Sequence, residues 1–193
     1  RKGMVPSRRI VVLAHIDAKE GTPGAIDNAT GVVVLLLLAE LLAEYAGRLG
    51  LEIVAVNGED YYAASGEILF VRQNEGRFEE ILLGINLDGA GYHCGKTAYS
   101  LYNCPPDIAT AIQDVFATQP GLVEGEPWYQ SDHSLFVMNQ VPALALTSET
   151  FADLSAEITH TPRDHPQIVD PDRLVTAALA LRDLVLRLDK ALG

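Results

Sequence analysis

Five short clusters in this 193-residue chain carry the side chains that could do chemistry. They are His15-Ile16-Asp17, Gly24-Ala25-Ile26-Asp27-Asn28, Asn57-Gly58-Glu59-Asp60, Asn86-Leu87-Asp88-Gly89 and Thr159-His160-Thr161-Pro162-Arg163-Asp164. Together they offer two histidines and three or four carboxylates as ligands. That mixed nitrogen and oxygen set suits zinc, with cobalt or manganese also possible. The clusters contain no cysteine, which argues against a structural zinc knot. In a two-metal site a carboxylate can bridge ions roughly 3.5–4 Å apart and leave positions for water. One further carboxylate is then needed as a proton shuttle. Glu59 and Asp60 are adjacent, so one can face a metal while its neighbour faces the water. Taken singly, each cluster reads equally well as a turn former or helix cap. Their number at one edge of a sheet is harder to explain as turns.

The elements that must position these clusters are legible from apolar spacing. Residues 9–14 are a β-branched run and read as a buried strand. A loop follows over 17–28, then a helix to about residue 45, capped by Asn28 or Thr30 and stopped at Gly47 and Gly50. Strands are expected over 51–56, 81–87, 97–102 and 141–147. Helices are expected over 60–75, 105–118 and 131–138. A long amphipathic helix starts at Asp170-Pro171 and presents Leu174, Ala178, Leu181, Val185 and Leu188 on one face. Strands alternating with helices predict an α/β fold, a three-layer sandwich whose mostly parallel sheet is covered on both faces. In such sheets ligand sites lie at the carboxyl ends of strands. Three of the five clusters fall there. The apolar run Val32–Ala39 is followed by Glu40 and Glu44. It is too short for a membrane span, which needs roughly 18 residues, and reads as a buried helix. No linker divides the chain, so residues 1–193 read as one catalytic domain. The chain opens on residues that look like the middle of a longer sequence, so N-terminal residues are expected to be missing.

The order of motifs is more specific than any one of them. His15-x-Asp17, Gly24-Ala25-Ile26-Asp27-Asn28-Ala29-Thr30-Gly31, Gly58-Glu59-Asp60, Asn86-Leu87-Asp88, Ser131-Asp132-His133 and His160-Thr161-Pro162-x-Asp164 follow one another at compatible spacing. In that order they resemble the M28 family of zinc exopeptidases, which includes bacterial aminopeptidases and has a zinc-exopeptidase, phosphorylase/hydrolase-like fold. The resemblance implies that Asp27 bridges two metals. It gives His15 and Asp88 to one metal, and Asp60 and His160 to the other. It makes Glu59 the general base and Asp17 the carboxylate that orients His15. The implied reaction is hydrolysis of a peptide bond, removing N-terminal residues from a substrate with a free N-terminus. The chain departs from the family at Glu59-Asp60, where Glu-Glu is usual; the shorter aspartate predicts a second metal held differently or more weakly. It is also expected to lack the family's first helix and strands ahead of the His15 strand, so the resemblance does not carry over to the outer sheet edge and part of the pocket wall.

Other readings stay open. A carboxypeptidase or dipeptidase needs a basic group for the substrate carboxylate, and Arg163 is the candidate nearest a site motif. A glutaminyl cyclase with one zinc uses a similar scaffold. A non-catalytic binding domain would be expected to have lost ligands or the base. His93 and His165 read as loop residues, Ser131 as a helix cap and His133 as a weaker substrate-side candidate. Trp128 and Tyr129 either line an apolar pocket or pack a loop.

Composition narrows the partners. The net charge is −12 and no basic stripe is present, which argues against nucleic acid. Acidity can attract a cationic ligand such as a free α-amine, although solubility explains it equally. Cys94 and Cys104 could form one bridge or remain thiols. No signal peptide is visible; the cytoplasm is the default compartment, with secretion the alternative if a leader precedes Arg1. The sequence leaves oligomeric state open.

Overall fold

The structure is a computed structural model that describes residues 8–61 and 65–192. Residues 1–7, read above as mid-sequence, and 62–64, inside the helix expected over 60–75, lie outside the described residues. Six strands form one sheet: β1 (Arg9–His15), β2 (Gly50–Val56), β3 (Ile81–Leu87), β4 (Thr97–Tyr102), β5 (Leu122–Glu124) and β6 (Ala143–Ser148). Their spatial order is β2-β1-β3-β6-β4-β5. The first four of that order run parallel, and β4 lies antiparallel to β6. Among the described residues six α-helices accompany the sheet: α1 (Thr30–Leu41), α2 (Ser65–Asn74), α3 (Pro106–Phe116), α4 (His133–Met138), α5 (Phe151–Glu157) and α6 (Pro171–Leu192).

Alternation along the strands builds the two cores. Ile10, Val12 and Ala14 of β1, with Leu144 and Leu146 of β6, pack with α1, α3 and α6. Val11 and Leu13, with Ala143 and Ala145, pack with Phe70 of α2 and Phe136 of α4. Period-two alternation sends successive side chains to opposite faces, and each fully buried aliphatic contributes about 1.5–3 kcal/mol. Gly84 of β3 matters here, because a Cβ on it would lie 2.2 Å from the Phe136 ring. Only glycine lets that ring lie flat on the strand. The five apolar positions read for the last helix, Leu174, Ala178, Leu181, Val185 and Leu188, are all buried.

Several expectations need adjustment. The helix over 30–45 ends at Leu41, and the described part of the helix over 60–75 is Ser65–Asn74. Asp60 itself sits in a turn. The run Val32–Ala39 is not buried throughout, since Leu36 is 65 % exposed and Val33 41 %. The strand β5 and the helix α5 were missed. With three and seven residues, both are too short to show a period. Cys94 and Cys104 are free thiols; burial pushes the Cys104 thiol up to about 11. Among the described residues no helix is long and apolar enough to cross a membrane.

Candidate metal centre

Three adjacent parallel strands end at the site. His15 is the last residue of β1 and is buried. Glu59 and Asp60 lie in the turn just after β2, and Asp88 follows β3 directly. Register puts these ends level: His15 pairs with Val56, and Leu13 pairs with Asn86. Asp88 continues the ladder, donating its N–H to the Leu146 carbonyl at 3.0 Å.

Asp27 comes from a kinked turn, Ala25–Ala29, that leads into α1, and Asp27 and Asn28 themselves are not helical. The Asp27-Asn28 peptide bond is cis. Asn28 fastens this turn to β3. Its Nδ2 donates to the Leu87 carbonyl at 2.7 Å, and its Oδ1 accepts the N–H of Gly31 at 3.1 Å. Gly31 is required for that approach, because a Cβ there would lie 2.4 Å from Asn28 Oδ1 and 2.5 Å from Leu87 O. His160 arrives from the loop after α5 with φ at 60°. Non-glycine residues rarely adopt that region, and such positions cluster at functional sites.

The chain thus brings His15, Asp27, Asp60, Asp88 and His160 together from across 146 residues of sequence. Asp27 sits between the histidines. Its Oδ1 is 3.2 Å from His15 Nε2 and its Oδ2 is 3.1 Å from His160 Nε2. Asp88 Oδ1 lies 3.6 Å from His15 Nε2, and Asp60 Oδ1 lies 2.7 Å from His160 Nε2. One ligand atom each from His15, Asp27 and Asp60 fall within 4.8 Å of one another.

The donor set fits a cation. His15 Nε2 is buried and close to two carboxylates, yet aligned as a hydrogen bond to neither. Asp60 Oδ2 is likewise buried without a donor. Lone pairs that crowd a point without bonding one another are what a shared ion would satisfy. Charge says the same. Burial works against an imidazolium at His15, yet Asp27 and Asp88 outweigh it and lift its pKa to about 12. Burial, and then Asp27, raise the Asp60 carboxyl. A proton is held where positive charge is wanted.

Neighbouring groups hold these side chains in place. His15 Nδ1 lies 3.1 Å from the Asp17 carbonyl, with the Asp17 carboxylate farther away at 3.7 Å. A proton on Nδ1 leaves the Nε2 lone pair turned toward Asp27 and Asp88. The Asp17 carboxylate accepts the N–H groups of Gly58 at 2.8 Å and Asp60 at 3.2 Å, tying the Glu59 turn to β1. Ser131 does not cap its helix with its side chain. Its hydroxyl donates to Asp88 Oδ2 at 2.6 Å and accepts from Asn86 Nδ2 at 2.7 Å. Asp164, quoted in the motif without a role, accepts the N–H of Ile26 at 2.6 Å and of Asp27 at 3.1 Å. A long-range carboxylate-to-backbone contact leaves no local signal in the sequence.

An open cavity of about 300 Å³ lies over the cluster and is lined by Asp27, Glu59, Asp60, Asp88 and His160 among others. Burial first, then the Asp88 charge, raise Glu59 to about 8. Tyr129 lines the cavity, whereas Trp128 is buried and stacks on Phe151 with ring centroids 4.7 Å apart. His133 is not on the substrate side. It is buried between Tyr102 and Trp128, with Nε2 on the Trp128 carbonyl at 2.7 Å. His93 is exposed outside the cavity lining. His165 is a half-buried loop residue with its Nδ1 enclosed.

A sequence model of Peptidase family M28 matches residues 1–185. The chain belongs to this family. The fold agrees. It superposes on the LapA aminopeptidase of Legionella pneumophila with a TM-score of 0.83 at 16 % identity, covering 97 % of this M28 chain and 53 % of that one. Against an aminopeptidase from Aneurinibacillus sp. strain AM-1 the TM-score is 0.79 at 20 % identity, covering 93 % and 43 %. A glutaminyl cyclase of Porphyromonas gingivalis gives 0.76 at 24 %, covering 97 % and 73 %. The uncharacterized protein YfbL of Escherichia coli K12 is 26 % identical over 182 residues, covering 74 % of this chain and 56 % of YfbL. The M28 chain therefore spans about half the length of YfbL and of the two aminopeptidases.

Proposed function

We propose that this M28 chain is a zinc-dependent aminopeptidase, with one cation held by His15, Asp27 and Asp88 and a second by Asp27, Asp60 and His160. The observation that carries the reading is Asp27, which offers one carboxylate oxygen to each histidine. Imidazole and carboxylate ligands without thiolate suit zinc, and cobalt or manganese could replace it. Bound there, the cations would supply Lewis acidity to a water and to the scissile carbonyl.

The chain's own residues do the rest. Glu59 lines the cavity next to a ligand. Its carboxylate accepts the proton of the attacking water and returns it to the leaving amine. Asp17 fixes the Glu59 turn, and Ser131 fixes Asp88. The acidic cavity favours the substrate's α-amine. No Lys or Arg lines it among the described residues. Arg163 points away into solvent, with its side chain 61 % exposed and paired to Glu157. That supports release of N-terminal rather than C-terminal residues, since a terminal carboxylate is best paired by a Lys or Arg of the cavity wall.

The test is a panel of aminoacyl-arylamides with and without N-acetylation, alongside N-terminal glutaminyl peptides. Cleavage is expected for free amines only, lost on chelation and restored by zinc. Efficient C-terminal trimming of N-blocked peptides, or cyclisation of glutamine without hydrolysis, would overturn the proposal.

A further inference from the structure

Asp132 opens α4 beside the metal cluster, yet it bonds to none of the residues there. It is 0 % exposed, and neither of its carboxyl oxygens has a hydrogen-bond donor. What it meets instead is a second carboxyl, Glu67, from the first turn of α2. Two acceptor-only groups facing each other, one buried and one half-buried, are unsatisfied unless a proton or a cation comes between them. Glu67 lines the cavity, and Asp132 stands behind it. Among the described residues no Lys or Arg lines the cavity, and its imidazole, His160, already belongs to the metal cluster. The same cavity has an apolar wall made by Tyr129, Phe151 and Leu154.

An acid at a pocket wall beside apolar surface is the complement of a long cationic side chain, which packs its methylene stem and pairs its head. Resting on the aminopeptidase reading above, we propose that Glu67, backed by Asp132, receives the side chain of the substrate's N-terminal residue and selects lysine or arginine there. A leucine or norleucine side chain fills the apolar wall and leaves Glu67 without a cationic partner. A site built around a buried polar group rejects a ligand that cannot pair with it more strongly than an apolar pocket rejects one missing methylene.

The test uses the zinc-loaded chain with lysyl-, arginyl- and norleucyl-arylamides, together with calorimetric binding of L-lysinamide and L-norleucinamide. Lysyl is expected to exceed norleucyl in kcat/KM by at least about tenfold, the scale of one charge-assisted contact. Glu67→Gln, on a partly exposed helix turn, should lower that lysyl-to-norleucyl ratio by about tenfold to a hundredfold. Equal rates for lysyl and norleucyl in the unaltered chain would overturn the proposal. So would a Glu67→Gln variant that weakens both substrates alike, which would place the α-amine at Glu67. If no arylamide is cleaved, the aminopeptidase reading fails, and the lysinamide-to-norleucinamide affinity ratio still decides the subsite. A ratio near one overturns it; a preference for lysinamide that Glu67→Gln removes upholds it.

Discussion

Asp164 holds the backbone of Asp27, accepting its N–H on Oδ2 at 3.1 Å across 137 residues of sequence. The other oxygen takes the N–H of Ile26 at 2.6 Å. The two contacts set the turn that aims Asp27 between the histidines. Asp164 is itself fully buried.

Asp164→Asn keeps the size but removes the charge and replaces one acceptor by a donor. Hydrogen bonds to charged groups contribute about 1.5–3 kcal/mol. The variant should lose stability by about that amount in urea titration. It should also bind zinc more weakly, because the Asp27 carboxylate is no longer held in place. Undiminished zinc affinity by competition with a chromogenic chelator would show that the turn keeps its shape without Asp164.

Metal removal should itself be visible as a loss of stability. A ligand at a hundredfold excess over its dissociation constant stabilises a native state by about 2.7 kcal/mol. Zinc titrated into the chelated chain should therefore raise the melting temperature. Asp27→Ala should remove most of the rise, since both proposed ions lean on Asp27. Asp60 is one methylene shorter than the glutamate usual in the family, which predicts two unequal affinities. Asp60→Ala should abolish the weaker and largely spare the tighter. Two equal sites by calorimetry would sink the unequal part alone.

Glu59→Gln isolates proton transfer. The change is nearly isosteric, and Glu59 is not among the proposed ligands. Bound zinc measured by atomic absorption should stay at the unaltered stoichiometry. General-base catalysis contributes typically about 10²–10⁴-fold, so kcat should fall by that order with KM little changed. Near-normal turnover would show that another group takes the proton. Loss of metal would show that Glu59 and Asp60 have exchanged roles.

Asp132 predicts a pH dependence of folding. Burial and the neighbouring Glu67 push its carboxyl from 3.8 up to about 9. The folded chain then keeps a proton that the unfolded chain releases above about pH 4. The unfolded state binds fewer protons over that window, so stability falls as pH rises from about 4 through about 9. Asp132→Asn has no proton to hold. Its urea midpoint relative to the unaltered metal-free chain should rise steadily between pH 5 and pH 9. A difference that stays flat with pH would mean that Asp132 ionises normally in the folded state.

Much of this was written in local sequence. The strands β1, β3 and β4, the helix α6 and the residue types that could ligate a metal are all legible, because apolar period and strand-end chemistry depend on near neighbours. The resemblance to M28 rested on motif order, and the family match agrees with it. Tertiary structure decided the rest. That Asp27 lies between His15 and His160 depends on three parallel strands ending level and on a turn held from residue 164. That Ser131 serves Asp88 rather than capping α4, and that His133 is enclosed by Tyr102 and Trp128 rather than facing substrate, depends on which side of a short helix meets the sheet. Two carboxyls, Glu67 and Asp132, gain their meaning only from facing each other across 65 residues. Residue type and spacing state what a side chain can do. Burial and the charge of distant neighbours, which only folding brings near, decide which of those things it does.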